Sequence, residues 1–430
     1  MAATVVDFGP ERVASLLAAI DPGWREAGIA VALSGGLDST VLLHALARLA
    51  GRESLSLRAL HVDHGLHPDS VAWAEACRAA CAVMGVNLEV IELKLTPARG
   101  ESVEAQAREA RYAALAGRLA DGERLLTAHH RDDQLETVLI QLMRGAGVAG
   151  LAAMPARARL GRGWQLRPLL EVDRAELVEC AARCRLAWQQ DPMNDALRFD
   201  RGYLRARVLP AIRERWPAAS ATVSRSASHL AEASRLLGGL AAADAVQVLD
   251  GGRLSLAALS GLPRDRQVNL LRWWLHQEGL RPPPAARLGA ALPGFFNARA
   301  DGAPALRWDA GEVRRYRGRL YAVAPGETAG SFRLVAGQEG GLRLAGGEDT
   351  SIRYRAGGES LRPHPGRPRK RLKDLCQEAG IVPWMRERLP LVFVGERLAA
   401  VGDLWIDADF AAPAGVPALK PVWEARPRLF

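Results

Sequence analysis

The segment Val31-Ala32-Leu33-Ser34-Gly35-Gly36-Leu37-Asp38-Ser39-Thr40 constrains the fold of this chain more than any other part of it. Apolar Ile29–Leu33 reads as a buried strand, and Val41–Leu46 as an apolar-periodic helix. Between them lies a short turn of serine, glycine and aspartate. A strand feeding a helix through such a turn makes an anion site. Glycine lets a ligand approach the backbone, and the free N–H groups and dipole of the helix start favour phosphate. Ser34 and Ser39 add hydroxyl groups, and Asp38 can hold a cation that neutralises phosphate charge. The Walker A spacing, with its lysine, is absent.

The segment resembles the PP-loop of ATP pyrophosphatases, which split ATP into AMP and pyrophosphate and adenylate a substrate oxygen on the way. The rest of the first half reads as an α/β fold. Strands are expected near 29–33, 57–63, 88–94 and 124–128, and helices near 39–50, 71–84, 102–120 and 132–144. This alternation implies right-handed βαβ units and a parallel sheet, whose ligands bind beyond the carboxyl ends of the strands. The loops there are Ser34–Ser39, His61–His67, Leu95–Glu101 and His129–Asp133.

Beyond about residue 190 the pattern changes. Leu204–Trp216, Ala218–Leu249 and Arg266–Gln277 read as helices, punctuated by Pro282-Pro283-Pro284. From about residue 302 short alternating runs such as Ser331–Val335 favour strands. Gly337–Asp349 reads as a linker or loop, and 351–430 as a small mixed module. At 430 residues the chain should divide into more than one domain. The expected division is 1–216, a mainly helical 217–335 and a small α+β 350–430.

No apolar run approaches the length of a bilayer span, and the first residues lack a secretory pattern, so a cytoplasmic location is expected. The cysteines, Cys77, Cys81, Cys180, Cys184 and Cys376, are odd in number, and none is expected beside the phosphate loop. They read as small packing residues, not as a disulfide framework or a zinc knuckle.

Several constellations fall at the strand ends. His61-Val62-Asp63-His64 closes the second strand and suits either a metal site or a nucleotide contact. His129-His130-Arg131-Asp132-Asp133-Gln134-Leu135-Glu136-Thr137 opens a helix. Asp133 and Glu136, three apart, can project to one side and hold an ammonium group or a magnesium ion; capping is the plainer role. Arg108 and Arg111 share a helix face, as do Arg201 and Arg205. The span 353–388 carries ten Lys and Arg against four Asp and Glu, most of the chain's net charge of +9. Such clustering favours contact with a phosphate backbone.

Together these segments resemble the bacterial tRNA(Ile)-lysidine synthetase family. The match rests on Ser34–Ser39, His61–Leu66, Arg108–Tyr112, His129–Thr137, Arg144–Gly147, Arg167–Leu170 and Asp191–Arg205, with Gly357–Glu359 and Lys373–Pro390 in the tail. One departure is Gly202, where the family usually has asparagine. The resemblance implies a PP-loop domain of the adenine nucleotide alpha hydrolase type, ATP and Mg2+ as cofactors, and an isoleucine tRNA with a CAU anticodon and L-lysine as partners. The reaction it implies joins lysine to the wobble cytidine through an adenylated intermediate. It assigns ATP to Ser34, Gly35, Gly36, Leu37, Asp38, Ser39, His61, Asp63 and His129. Asp38 is also assigned the metal, and Asp133 and Glu136 the lysine. Arg108, Arg111 and Arg205 would stabilise phosphate or transition-state charge. Arg369, Lys370, Arg371, Lys373 and Arg386 would contact tRNA, with the middle domain helping. Two other readings are a tRNA-thiolating PP-loop enzyme, which would need reactive cysteines, and a tRNA-binding protein with an inert nucleotide pocket.

Overall fold

The computed structural model describes residues 7–65, 68–93, 103–189, 197, 199–299, 302–325, 330–337, 340–343, 349–413 and 415–426. Leu66, His67, Leu95–Glu101 and Asp191–Asp195, singled out above, lie outside them. The chain divides into two compact units, Met1–Leu237 and Gly238–Phe430.

The first unit is a sheet with helices on both faces. Its strands are β1 (Ile29–Ala32), β2 (Leu57–Asp63), β3 (Asn87–Glu92), β4 (Arg124–Leu126), β5 (Arg157–Leu160) and β6 (Gly163–Leu166). They lie in the order β3-β2-β1-β4-β6-β5. All neighbouring pairs are parallel except β5–β6, which forms an antiparallel hairpin at the edge. The parallel core is the expected one, and the edge hairpin is an addition to it. The helices are α1 (Pro10–Ile20), α2 (Leu37–Ala50), α3 (Ser70–Met84), α4 (Val103–Arg118), α5 (Arg131–Met143), α6 (Val148–Leu151), α7 (Arg174–Arg183), α8 (Asp200–Tyr203) and α9 (Leu209–Arg215), and α10 (Ala219–Val248) begins in this unit and ends beyond Leu237.

Strand alternation explains why β1 is apolar throughout. Ile29 and Val31 enter a core that includes Leu42 and Leu46 of α2 and Leu177 of α7, while Ala30 enters a second core with Leu115 of α4 and Leu119 just after it. A strand covered on both faces buries every side chain, and Ile29, Ala30 and Val31 are all buried. The helix after it begins at Leu37, two residues earlier than expected. The hydroxyls of Ser39 and Thr40 both donate to the Gly36 carbonyl, at 3.1 and 2.9 Å, which draws them into the first turn.

In the second unit, Arg264–Gln277 and Ala285–Asn297 pack on an antiparallel sheet that includes Ala305–Trp308, Gly311–Tyr316 and Arg319–Val323. The helix Ala285–Asn297 adds to those expected; the triple proline before it starts the helix as well as ending the segment before, with Pro284 as its N-cap. Further on, Thr350–Arg353, Leu391–Val394, Arg397–Val401 and Trp405–Ile406 make a four-stranded sheet. Ser331–Gly337 pairs antiparallel with Ala418–Glu424. Leu342, in the stretch read as a linker, is fully buried, and its backbone bonds to that of Leu419. A large apolar side chain in a glycine-rich run therefore belongs to the core here. Among the described residues no helix is long and apolar enough to cross a membrane.

Candidate active site

The phosphate loop is held open by its own hydroxyls. Ser34 N–H donates to Ser39 Oγ at 3.2 Å, the two serine oxygens lie 3.0 Å apart, and Gly36 N–H donates to Ser34 Oγ at 3.3 Å. Gly35 has φ +82°, and a Cβ on it would meet Cys77 Sγ at 3.0 Å. Conformation and space thus both demand glycine there. His61, at the end of β2, is buried under the loop, its Nδ1 2.8 Å from the Leu33 carbonyl and 3.5 Å from Cys77 Sγ. It braces the loop. Asp63 accepts from Gly65 N–H at 2.8 Å and shapes the turn after β2.

Asp38 stands in the first turn of α2. Its Oδ1 is buried with no partner among the described residues, and its Oδ2 lies 3.6 Å from His130 Nε2. Burial raises its pKa, while His130, Arg174 and Arg205 pull the other way. An orphaned buried carboxylate oxygen beside a phosphate-binding loop fits a hard cation such as Mg2+. Among the described residues no group of three or more His, Cys, Asp and Glu side chains could hold a metal ion.

The second half of the site is the start of α5. His130 is the N-cap: its Nδ1 accepts from Asp132 N–H at 3.3 Å, and Asp133 Oδ2 accepts from His130 N–H at 2.9 Å. Asp133 therefore caps the helix and also faces the site. Both Asp133 and Glu136 are buried. Arg205 binds them together: its Nε donates to Glu136 Oε1 at 2.5 Å, and one terminal nitrogen to Glu136 Oε2 at 3.0 Å and Asp133 Oδ1 at 3.1 Å. Burial raises the pKa of Glu136 even against Arg205. Burial works on Asp133 in the same direction, but His130, His129 and the His130 N–H outweigh it, and the pKa is lowered. The pair that was expected to receive an ammonium group thus already holds a guanidinium. Asp132 points the other way, to Arg213 at 2.7 Å and Ser220 Oγ at 2.6 Å, tying α9 and α10 to α5.

On the far side of His129 lies an arginine group. The Arg108 and Arg111 guanidiniums sit 5.1 and 5.5 Å from the Tyr112 ring centre. Burial lowers the pKa of Arg111, and Arg108 and Arg201 add to that. Arg167, Gln165 and Thr127 complete this flank, and the sequence alone assigns none of them a role. Their signal is faint: Arg167 is visible only as the start of a short motif after β6. In the second unit, Arg369 pairs with fully buried Asp407 at 2.8 Å, and Lys370 with Glu378 at 2.9 Å. Arg386 donates to the Ile381 carbonyl and to Tyr316 Oη, at 2.9 and 3.0 Å. Arg371 and Lys373 are exposed.

Comparison with known proteins gives the family. Residues 11–212 match the model of the PP-loop domain, 254–321 that of the TilS substrate binding domain, and 350–423 that of the TilS substrate C-terminal domain. A tRNA(Ile)-lysidine synthase of Alkalilimnicola ehrlichii is 43% identical over 95% of this chain and 96% of its own. The chain belongs to the tRNA(Ile)-lysidine synthase family. Another member, from Pseudomonas aeruginosa, is 44% identical over 90% of this chain and 92% of its own. Among solved structures, a tRNA thiolase from Methanococcus maripaludis is 17% identical, covering 52% of this chain and 78% of its own with a TM-score of 0.45. Membership makes this an ATP-using enzyme. Thiol chemistry is not favoured: all five cysteines are free, and burial pushes Cys77 up to about 12 and Cys180 to about 11.

Proposed function

We propose that this chain joins the side-chain amine of L-lysine to the wobble cytidine of a CAU-anticodon isoleucine tRNA, forming a C–N bond with the consumption of ATP. The observation that carries it is the juxtaposition of two buried carboxylates, Asp133 and Glu136, with the phosphate loop and the orphaned Asp38 oxygen.

The cytosine carbonyl is a poor electrophile. Its oxygen attacks the α-phosphorus of ATP, and the bond to pyrophosphate breaks. The lysine nitrogen then attacks the activated ring carbon, the C–O bond breaks, and AMP leaves with that oxygen while the amine loses a proton. Ser34–Ser39 supplies N–H and hydroxyl groups to the phosphates. Mg2+ held by Asp38 would neutralise charge on the departing pyrophosphate. Asp133 and Glu136 hold the lysine ammonium, with Arg205 yielding part of its place to it. Arg108 and Arg111 face the nucleotide. His61 and Asp63 shape its floor. Residues 217–335 and 350–430 serve tRNA binding, with Arg371 and Lys373 the cations best exposed for it. A cytoplasmic location suits such a substrate.

Nucleoside mass spectrometry of the tRNA after incubation with ATP, lysine and enzyme tests the proposal. Lysidine is expected at the wobble position. Its absence, or sulfur in its place, overturns the reading.

A further inference from the structure

A chain of hydrogen bonds beneath the site takes its direction from an arginine and ends on His129. Arg167 donates to Gln165 Oε1 at 2.6 Å. A guanidinium can only donate, so this oxygen must face it, and the Gln165 amide nitrogen is forced to the other side. That nitrogen has two protons. One goes to Thr127 Oγ1 at 3.1 Å, the other towards Tyr112 Oη at 3.4 Å. Thr127 Oγ1 therefore accepts from Gln165 and has its single proton left to give. That oxygen could accept a second time, but among the described residues His129 Nδ1, 3.0 Å away, is the one acceptor offered to the threonine proton, so the arrangement that leaves no proton unmet has Nδ1 accepting. The proton of a neutral ring then sits on Nε2.

Burial lowers the His129 pKa to about 3, and Arg167, Arg108 and Arg201 oppose its charging while Asp133 favours it. The ring is therefore neutral at working pH, and its tautomer decides what it can do. Its Nε2 has no partner among the described residues. Val31 and Leu126 are the last pair of the β1–β4 ladder, and Ser34 and His129 each lie three residues beyond them, so the ring and the phosphate loop leave adjacent strands at the same level.

We propose that Arg167, Gln165 and Thr127 are positioning residues that fix His129 as the Nε2–H tautomer, so that it donates to a phosphoryl oxygen of the nucleotide. This deepens the function proposed above and rests on it for the identity of the acceptor.

Nitrogen-15 NMR of histidine-labelled protein reads the tautomer without substrate, a His129→Asn variant assigning the signal. The native ring should show a protonated Nε2 and a bare Nδ1. Thr127→Ser should keep that signature and Thr127→Val should lose it. Gln165→Glu is the sharper variant. It retains the contact with Arg167 but offers Thr127 an acceptor in place of a donor. The threonine proton turns away, Oγ1 becomes the acceptor, and the ring proton moves to Nδ1. AMP formation should then fall roughly a hundredfold in kcat, the loss of one donor to a developing oxyanion, with KM for ATP little changed. A native ring protonated at Nδ1, or a Gln165→Glu ring still protonated at Nε2, overturns the relay. A reversed ring with an unchanged rate overturns the role of its N–H. If the native protein made no lysidine, the functional reading would fall while the tautomer result stood.

Discussion

Asp38 keeps one carboxylate oxygen buried and without a partner among the described residues beside the phosphate loop, and Asp133 and Glu136 share a guanidinium a short way off. On the function proposed above, these two arrangements would serve different halves of the reaction. Asp38→Ala should abolish pyrophosphate release while tRNA binding, measured by filter retention, stays near native; normal release would place the cation elsewhere. Glu136→Gln should impair lysine transfer more than adenylation, so adenylated tRNA accumulates. Asp133→Asn should do the same, with some added loss of stability because Asp133 also caps α5. Trapping the intermediate on labelled tRNA distinguishes the steps, and equal loss of both would give these carboxylates to ATP instead. Asp38, Asp133 and Glu136 are legible in the sequence because each lies in a short run with local meaning. Thr127, Gln165 and Arg167 are not, because what joins them is the register that sets Leu126 against Leu166, forty residues away. His130 is hidden for a similar reason: histidine is an uncommon N-cap, and its role shows only once Asp133 turns back to it.

The helix α2 and its loop form the element that the sequence describes best. A strand, a glycine turn and a helix are each local, and the hydroxyl bonds to Gly36 shift only the start of the helix. The edge hairpin β5–β6 escapes because its strands, Arg157–Leu160 and Gly163–Leu166, are four residues each and half polar, too short to show alternation. Gly35 makes a test at this scale. Gly35→Ala forces a side chain to φ +82° and against Cys77 Sγ. The conformation alone costs about 1–2 kcal/mol. For a unit of this size that is a fall in Tm of roughly 2–8 °C. ATP affinity should drop as well. Adding Cys77→Ala should restore part of the loss by making room, but not the part due to φ. Full restoration, or no loss in Gly35→Ala, would mean the loop tolerates a Cβ.

Across the whole molecule, the basic tail shows how far a charge count can be read. The ten cations of 353–388 are visible in the sequence, but their partners are not. Asp407 and Asp409 come from a turn about forty residues beyond Arg369 and take it into an internal network. Arg371→Ser with Lys373→Ser should therefore make the slope of log affinity against log salt shallower by roughly 1–2 units, about 0.7–0.9 for each phosphate no longer neutralised. Arg369→Ser should act mainly on stability, by roughly 1–3 kcal/mol, since Asp407 loses a donor while buried. Binding curves at several salt concentrations, alongside thermal melts, separate the two effects; an unchanged slope in the first variant would assign those cations to solubility. The pairing of Ser331–Gly337 with Ala418–Glu424 has a further consequence, in the order of synthesis. Every strand of the first sheet has left the ribosome soon after residue 166 does. Ser331–Gly337 is still without its partner strand until Ala418–Glu424 emerges, with the backbone groups of that edge unmet in the meantime. The nascent chain thus presents a folded nucleotide-binding fold while its far module still has an open edge, the interval in which a chaperone would find something to hold.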